Sequence, residues 1–139
     1  MNIVVTGSIA YDYLMEFPGK FTEHILPDQL HQISLSFLVN KMTKMKGGTA
    51  PNIAYTLGLL NGHPIVMGTA GNDFPEYSDW LVEHGVDVSG IKIIEDKHCA
   101  SFFANTDTDQ NQIASFYTGA MANASELSFA ALERTPDIA

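Results

Sequence analysis

Two adjacent glycines, Gly47 and Gly48, open a segment whose apolar residues Ile53, Ala54, Leu57, Leu59 and Leu60 follow a broadly helical spacing. Asn61-Gly62 supplies residues that tolerate the left-handed conformation which ends a helix, and Pro64 forbids its continuation. The run Ile65-Val66-Met67-Gly68-Thr69-Ala70-Gly71 then reads as a buried strand closed by glycines. An earlier β-branched run, Ile3-Val4-Val5, precedes the helix. Strand, helix and strand in that order point to an α/β fold with parallel strands.

The first run ends at Gly7 and Ser8, and the spacing predicts that residues 8–12 are delivered into a loop. Tyr13 to Phe17, the Pro18-Gly19 turn and the apolar run Leu35-Ser36-Phe37-Leu38-Val39 suit extended or hairpin structure, a β excursion from the main sheet. Phe74, Tyr77, Trp80, Leu81 and Val82 predict a second amphipathic helix over 73–84, stopped by Gly85. Residues 86–94 follow as loop and strand. Residues 100–104 and 112–117 are β-prone and are joined by turn formers from Asn105 to Asn111, which predicts a hairpin. Residues 125–132 predict the start of a short helix, with no sheet strand expected after it.

A chain of 139 residues suits one domain, and 45% hydrophobic against 17% charged residues is the balance of a folded protein. Seven Lys and Arg against 16 Asp and Glu leave no basic stripe for nucleic-acid phosphates or anionic lipid, so no nucleic-acid or membrane partner is expected. Cys99 stands alone and cannot form an internal disulfide, which fits a cytoplasmic setting. The residues from Met1 to Gly7 carry no basic leader, and the apolar run is too short for a signal or membrane segment.

The diglycine followed by Asn52 is the most informative local feature. Glycines at a helix start let a ligand approach backbone N–H groups, but the same pair can be a simple turn into the helix. The spacing of a P-loop is absent. Asp12, near a strand end, is either a solvated loop carboxylate or a group that accepts two hydrogen bonds from adjacent sugar hydroxyls. Phe102 and Phe116 lie on facing arms of the hairpin, as core residues or as a clamp for a flat base. The five histidines are dispersed without an i, i+4 metal pair. Neither Ser8 nor Ser36 sits in a Gly-x-Ser-x-Gly elbow. Asp107 and Asp109 lack the Gly and Glu of a calcium loop and read as turn residues, so no metal ligand is named.

The ordered set Gly7-Ser8-Ile9-Ala10-Tyr11-Asp12, Gly47-Gly48-Thr49-Ala50-Pro51-Asn52-Ile53-Ala54 and Gly68-Thr69-Ala70-Gly71-Asn72-Asp73 resembles the N-terminal signature of the ribokinase-like PfkB carbohydrate kinases. Phe17-Pro18-Gly19-Lys20-Phe21, Leu35 to Val39 and Gln112 to Met121 are similar to the adenosine kinases of the actinobacterial, ribokinase-related type. The resemblance implies a Rossmann-like α/β sheet with helices on both faces and a small β lid, truncated before the C-terminal nucleotide-binding half. Residues 1–139 would be the substrate-binding part of one kinase domain, with lid segments about 13–45 and 100–118. It also implies roles. Asp12 would hold ribose hydroxyls with Gly47, Gly48 and Asn52 fixing the sugar, Ser8 and Ser36 would lie near the nucleoside, and Phe102 and Phe116 would stack on adenine. The full enzyme would move the γ-phosphoryl of ATP, with Mg2+, onto the 5′-hydroxyl of adenosine, and a homodimer could form through the lid. The family's Gly-Ala-Gly-Asp anion hole and catalytic Asp have no counterpart here, because Ala70-Gly71-Asn72-Asp73 belongs to the N-terminal turn. No catalytic residue is expected in this chain, which would be a silent fragment or a non-catalytic nucleoside- or sugar-binding module. A kinase for another sugar or nucleoside is the third alternative.

Overall fold

The computed structural model describes residues 1–29 and 31–139. Its seven strands are β1 (Val4–Thr6), β2 (Ala10–Glu16), β3 (Lys41–Gly47), β4 (Ile65–Gly71), β5 (Asp87–Ile94), β6 (Ala100–Thr106) and β7 (Gln112–Tyr117). Two α-helices, α1 (Thr49–Leu59) and α2 (Pro75–Glu83), connect β3 to β4 and β4 to β5. The strands divide between two sheets.

The first sheet is parallel, in the order β1-β4-β5. Its central strand β4 is buried along its whole length, as a strand covered on both faces must be. Helices α1 and α2 cover one face, where Val5, Val66 and Ala70 pack with Ala54, Tyr77 and Leu81. On the other face Val4, Ile65 and Met67 lie under Leu127 and Leu132. Here 3-10 turns, Gly119–Glu126 and Phe129–Ala131, take the place of the short α-helix expected over 125–132. Ser128 caps the second turn by accepting from the Ala130 N–H, and Lys92 ties the first down through Glu126.

Both helix stops behave as their residues require. Asn61 adopts φ 60°, ending α1, and Gly85 adopts φ 78° after α2. The buried side of α1, however, is Ala50, Pro51, Ala54 and Gly58, while Ile53, Leu59 and Leu60 are exposed. Small residues let the helix lie close to the sheet and to the end of α2, so its larger apolar side chains turn outward.

The second sheet, in the order β3-β2-β6-β7, pairs β2 antiparallel with β3, β2 parallel with β6, and β6 antiparallel with β7. Two sequence expectations change here. Asp12 is the third residue of strand β2 and not part of a loop, because the sequence re-enters extended structure at Ala10. Leu35 to Val39 form no strand, and the returning strand is Lys41–Gly47. Phe37 instead packs its ring against Phe17 and Phe21, at centroid distances of 5.0 and 4.8 Å. A third change concerns the last residues. Ile138 makes a parallel bridge with Ile3, Val4 N–H donates to Ile138 O at 2.9 Å, and Asp137 accepts from the Asn2 N–H, so strand-like pairing does follow residue 132.

Candidate functional site

Residues paired across a sheet share a face, since side chains alternate along each strand. Asp12 pairs with Met45 on β3 and with Phe102 on β6, and Phe102 pairs with Phe116 on β7. Met45, Asp12, Phe102 and Phe116 therefore form one row across all four strands of the second sheet. The row carries a single carboxylate between a thioether and two aromatic rings. Phe116 is 51% exposed and Met45 49%, far more than core side chains.

The diglycine meets this row at its β3 end. A Cβ at Gly47 would stand 2.5 Å from Asp12 Oδ2, so the backbone there lies directly under the carboxylate. Gly48 holds φ 96°, a conformation that side chains rarely adopt, and a Cβ there would meet the carbonyl of Ser8. Gly48 is thus closed to any other residue type on two grounds. It leads straight into α1, whose first N–H, that of Thr49, donates to Ser8 Oγ at 3.0 Å. Ser8 also shares a hydrogen bond with the Thr49 hydroxyl, so its side chain serves the helix start.

Asn52 sits one turn into α1 with its side chain exposed. Asp12, Gly47, Gly48, Ser8, Phe102 and Phe116 are thus brought together through strand register and the turn. Ser36 is not joined to them: it lies exposed in the irregular 31–39 connection, with no hydrogen bond to the others among the described residues.

The opposite face of the second sheet is differently built. Tyr13 stacks on Phe103 with centroids 4.7 Å apart, and Lys44 Nζ lies 3.8 Å from the centre of the Tyr11 ring. A hollow of about 510 Å3 opens beyond the Asp12 row, between Leu14, Glu16, Asn40, Thr106 and Gln112. None of the eight residues expected at the site lines it. Leu14 and Thr106 share the Asp12 face, so the hollow extends that face toward the far end of the sheet.

The β4–α2 turn carries Asp73, whose Oδ1 accepts from the Cys99 N–H at 2.7 Å. Burial opposes its ionisation, yet the hydrogen bonds from Cys99 win and hold the carboxyl below the usual range. Cys99 is fully buried, and burial pushes its thiol up to about 12. A thiol in that state is an inert core group. Gly71 in the same turn is packed on one side against the backbone of His98 and Cys99 and on the other lines a hollow of about 350 Å3 with Asn72, Phe74, Ser78 and Glu95.

A profile of the pfkB family carbohydrate kinases matches residues 3–135. The chain belongs to this family. A Burkholderia thailandensis nucleoside kinase, solved in complex with inosine, is 39% identical with a TM-score of 0.76, over 98% of this chain and 42% of that one. A Methanothermobacter thermautotrophicus nucleoside kinase is 27% identical over 121 residues, 86% of this chain and 36% of the relative. A Methanocaldococcus jannaschii nucleoside kinase, an archaeal member of the ribokinase family, shares the fold with a TM-score of 0.79 at 23% identity, over 99% of this chain and 43% of that one. The pfkB chain described here thus spans between 36% and 43% of the length of these relatives. The ribokinase-like fold class read from the sequence is the one observed.

Sequence reasoning missed two residues at this candidate site. Met45 escaped because Lys41–Gly47, a largely polar and exposed strand, carries little apolar signal. Tyr77 escaped because its contact is tertiary: the hydroxyl donates to Gly47 O at 2.9 Å across 30 residues of chain.

Proposed function

We propose that this chain is the nucleoside-binding part of a pfkB kinase that passes the γ-phosphoryl of ATP to the 5′-hydroxyl of adenosine or a related purine nucleoside. The observation that carries the reading is the Met45, Asp12, Phe102 and Phe116 row with the diglycine turn beneath Asp12. A carboxylate accepts two hydrogen bonds from a vicinal diol, and the aromatic rings on the next two strands of the row suit the flat base attached to that sugar. Gly47, Gly48 and Asn52 fix the sugar from the helix side, Ser8 holds the turn, and Ser36 approaches on its connection as the lid closes. In this reading the second sheet is the lid, carrying the segments 13–45 and 100–118. Inosine bound to the Burkholderia kinase supports a purine nucleoside as the substrate class.

The same kinase has been solved with ADP-inosine, which supports ATP as the donor here. Among the described residues no three His, Cys, Asp or Glu side chains come together as a metal site. In this reading the task of this chain is choosing and orienting the nucleoside. Phosphoryl transfer, which rests on positioning and electrostatic stabilisation, falls to polypeptide carrying the anion hole, the base and the Mg2+ ligands.

The outer face of the lid, with Met42, Phe103 and Ile113 exposed, is the surface through which two copies would pair. Among the described residues no helix is long and apolar enough to cross a membrane. Calorimetry with adenosine, inosine, ribose and fructose tests the functional reading. Heat from the nucleosides, weaker heat from ribose and none from fructose is expected. Equal response to fructose, or no response from folded protein to any of the four, would refute it.

A further inference from the structure

Tyr77 lies on α2, in the core of the first sheet and away from the face that carries Asp12. Its residue exposure is 1%, and its ring packs on Tyr11 and Phe74 at 5.5 and 5.6 Å. No ligand can touch it there. Its hydroxyl nevertheless ends on the site, donating to the carbonyl of Gly47 at 2.9 Å in a buried hydrogen bond. Burial, with the Tyr11 hydroxyl and Asp12 carboxylate nearby, raises the Tyr77 hydroxyl above its ordinary range and keeps it a proton donor.

The carbonyl it holds belongs to the peptide that joins Gly47 to Gly48. A trans peptide is planar, so its carbonyl and the following N–H point in opposite directions. Holding the Gly47 oxygen toward α2 therefore turns the Gly48 N–H away from the core. That N–H has no backbone partner among the described residues. The two glycines lack the side-chain constraints that would otherwise fix this peptide, and such residues lose the most freedom when ordered. Gly47 closes the β2–β3 ladder opposite Ala10, and the Tyr77 hydroxyl adds a tether from the core to its carbonyl.

We propose that Tyr77 is a positioning residue for the nucleoside site: by fixing the Gly47-Gly48 peptide it aims the Gly48 N–H and seats the Asp12 carboxylate for the sugar diol. The inference rests on the nucleoside reading above and deepens it. The base end of the site, Phe102 and Phe116, lies farther along the row and takes no part in this tether.

The test compares adenosine with 2′,3′-dideoxyadenosine, which keeps the base and lacks the diol, by calorimetry on the wild-type chain and on Tyr77→Phe. The substitution keeps the ring and removes one hydrogen bond. Adenosine affinity is expected to fall roughly 3- to 10-fold while dideoxyadenosine affinity holds, so the ratio between them shrinks. A purely structural tyrosine would lower both affinities by one factor or leave both alone, and either result overturns the proposal. Amide hydrogen exchange on the wild type supplies a second arm that does not depend on the variant folding. Adenosine is expected to protect the Gly48 amide and dideoxyadenosine to leave it exchanging, and equal exchange with both ligands overturns the proposal. Failure of the wild type to bind either nucleoside would instead bring down the nucleoside reading, and this inference with it.

Discussion

The Asp12 carboxylate rests on the backbone of Gly47, so closely that a Cβ there would stand 2.5 Å from Oδ2 and 2.9 Å from Cγ. The carboxylate predicted to hold the sugar diol is thus seated on the diglycine turn itself. Gly47→Ala would push the carboxylate out of the row without adding a polar group to the core. Adenosine affinity is expected to drop at least tenfold, about 1.4 kcal/mol. Because Gly47 lies at a strand end, the melting temperature should move little beside that loss. Calorimetry and a thermal melt on the same sample separate the two effects, and a variant that binds normally would show that the carboxylate is not seated for the diol.

Phe116 is half exposed while its cross-strand partner Phe102 is partly buried, and this asymmetry makes their predicted roles separable. Removing an exposed side chain on an edge strand changes stability within about 0.5 kcal/mol. Loss of a base stack costs roughly 1–3 kcal/mol of affinity, a range taken from nucleic-acid stacking. Phe116→Ala should therefore weaken adenosine binding with an unchanged melt, whereas Phe102→Ala should weaken both. Ribose, having no base, should bind both variants as it binds the wild type. Equal losses for ribose and adenosine would remove the base clamp.

The elements that could be read from the sequence are those where local chemistry agrees with tertiary demand. Ile65 to Gly71 is apolar because it is covered on both faces, and Asn61 and Gly85 stop their helices through their own backbone preferences. The hairpin was legible for the same reason, with turn formers between two β-prone runs. Lys41–Gly47 was not, because an exposed outer strand need carry no apolar alternation. Leu35 to Val39 misled in the opposite sense, since its apolar character serves the Phe17, Phe21 and Phe37 cluster and not a sheet. Asp12, Phe102 and Phe116 could be named singly from the sequence. Their shared row, and the presence of Met45 in it, depends on the parallel pairing of β2 with β6, which joins segments far apart in the chain.

Asp107 fastens the tip of the β6–β7 hairpin to the β2–β3 connection. Its carboxylate accepts from the Phe21 N–H at 3.0 Å, from the Asn111 and Asp109 N–H groups at 2.8 and 3.0 Å, and from the Asn111 side-chain amide at 3.1 Å. Burial opposes ionisation, but these donors outweigh it and hold the carboxyl below its ordinary value. The unfolded chain then takes up the proton first as pH falls. The carboxylate's contribution is complete above an unfolded pKa of about 3.9 and is lost as pH drops through the lower folded value. Melting temperatures measured from pH 2 to pH 7 should show a steeper acid decline in the wild type than in Asp107→Asn, which cannot titrate. Parallel curves would mean that the carboxylate is not held in its charged form.

The first sheet leaves one side of β1 only partly paired. In its parallel register with β4, the N–H and carbonyl of Val4 and Thr6 point away from β4. Ile138 O takes the Val4 N–H, while the Val4 carbonyl and both Thr6 groups have no backbone partner among the described residues. Such an edge is a template for another strand, and an exposed lysine is the usual means of blunting it. The isolated chain is therefore expected to self-associate with rising concentration, by this edge and by the exposed apolar side chains on the outer face of the second sheet. Light scattering on two variants tells the routes apart. Thr6→Lys places a charge at an exposed edge position and should suppress pairing through β1, leaving association through the outer face of the second sheet. Ile113→Lys, on the outer face of the second sheet, should remove that contact and leave association through the β1 edge. A chain that stays monomeric at all concentrations would rule out both surfaces as association sites.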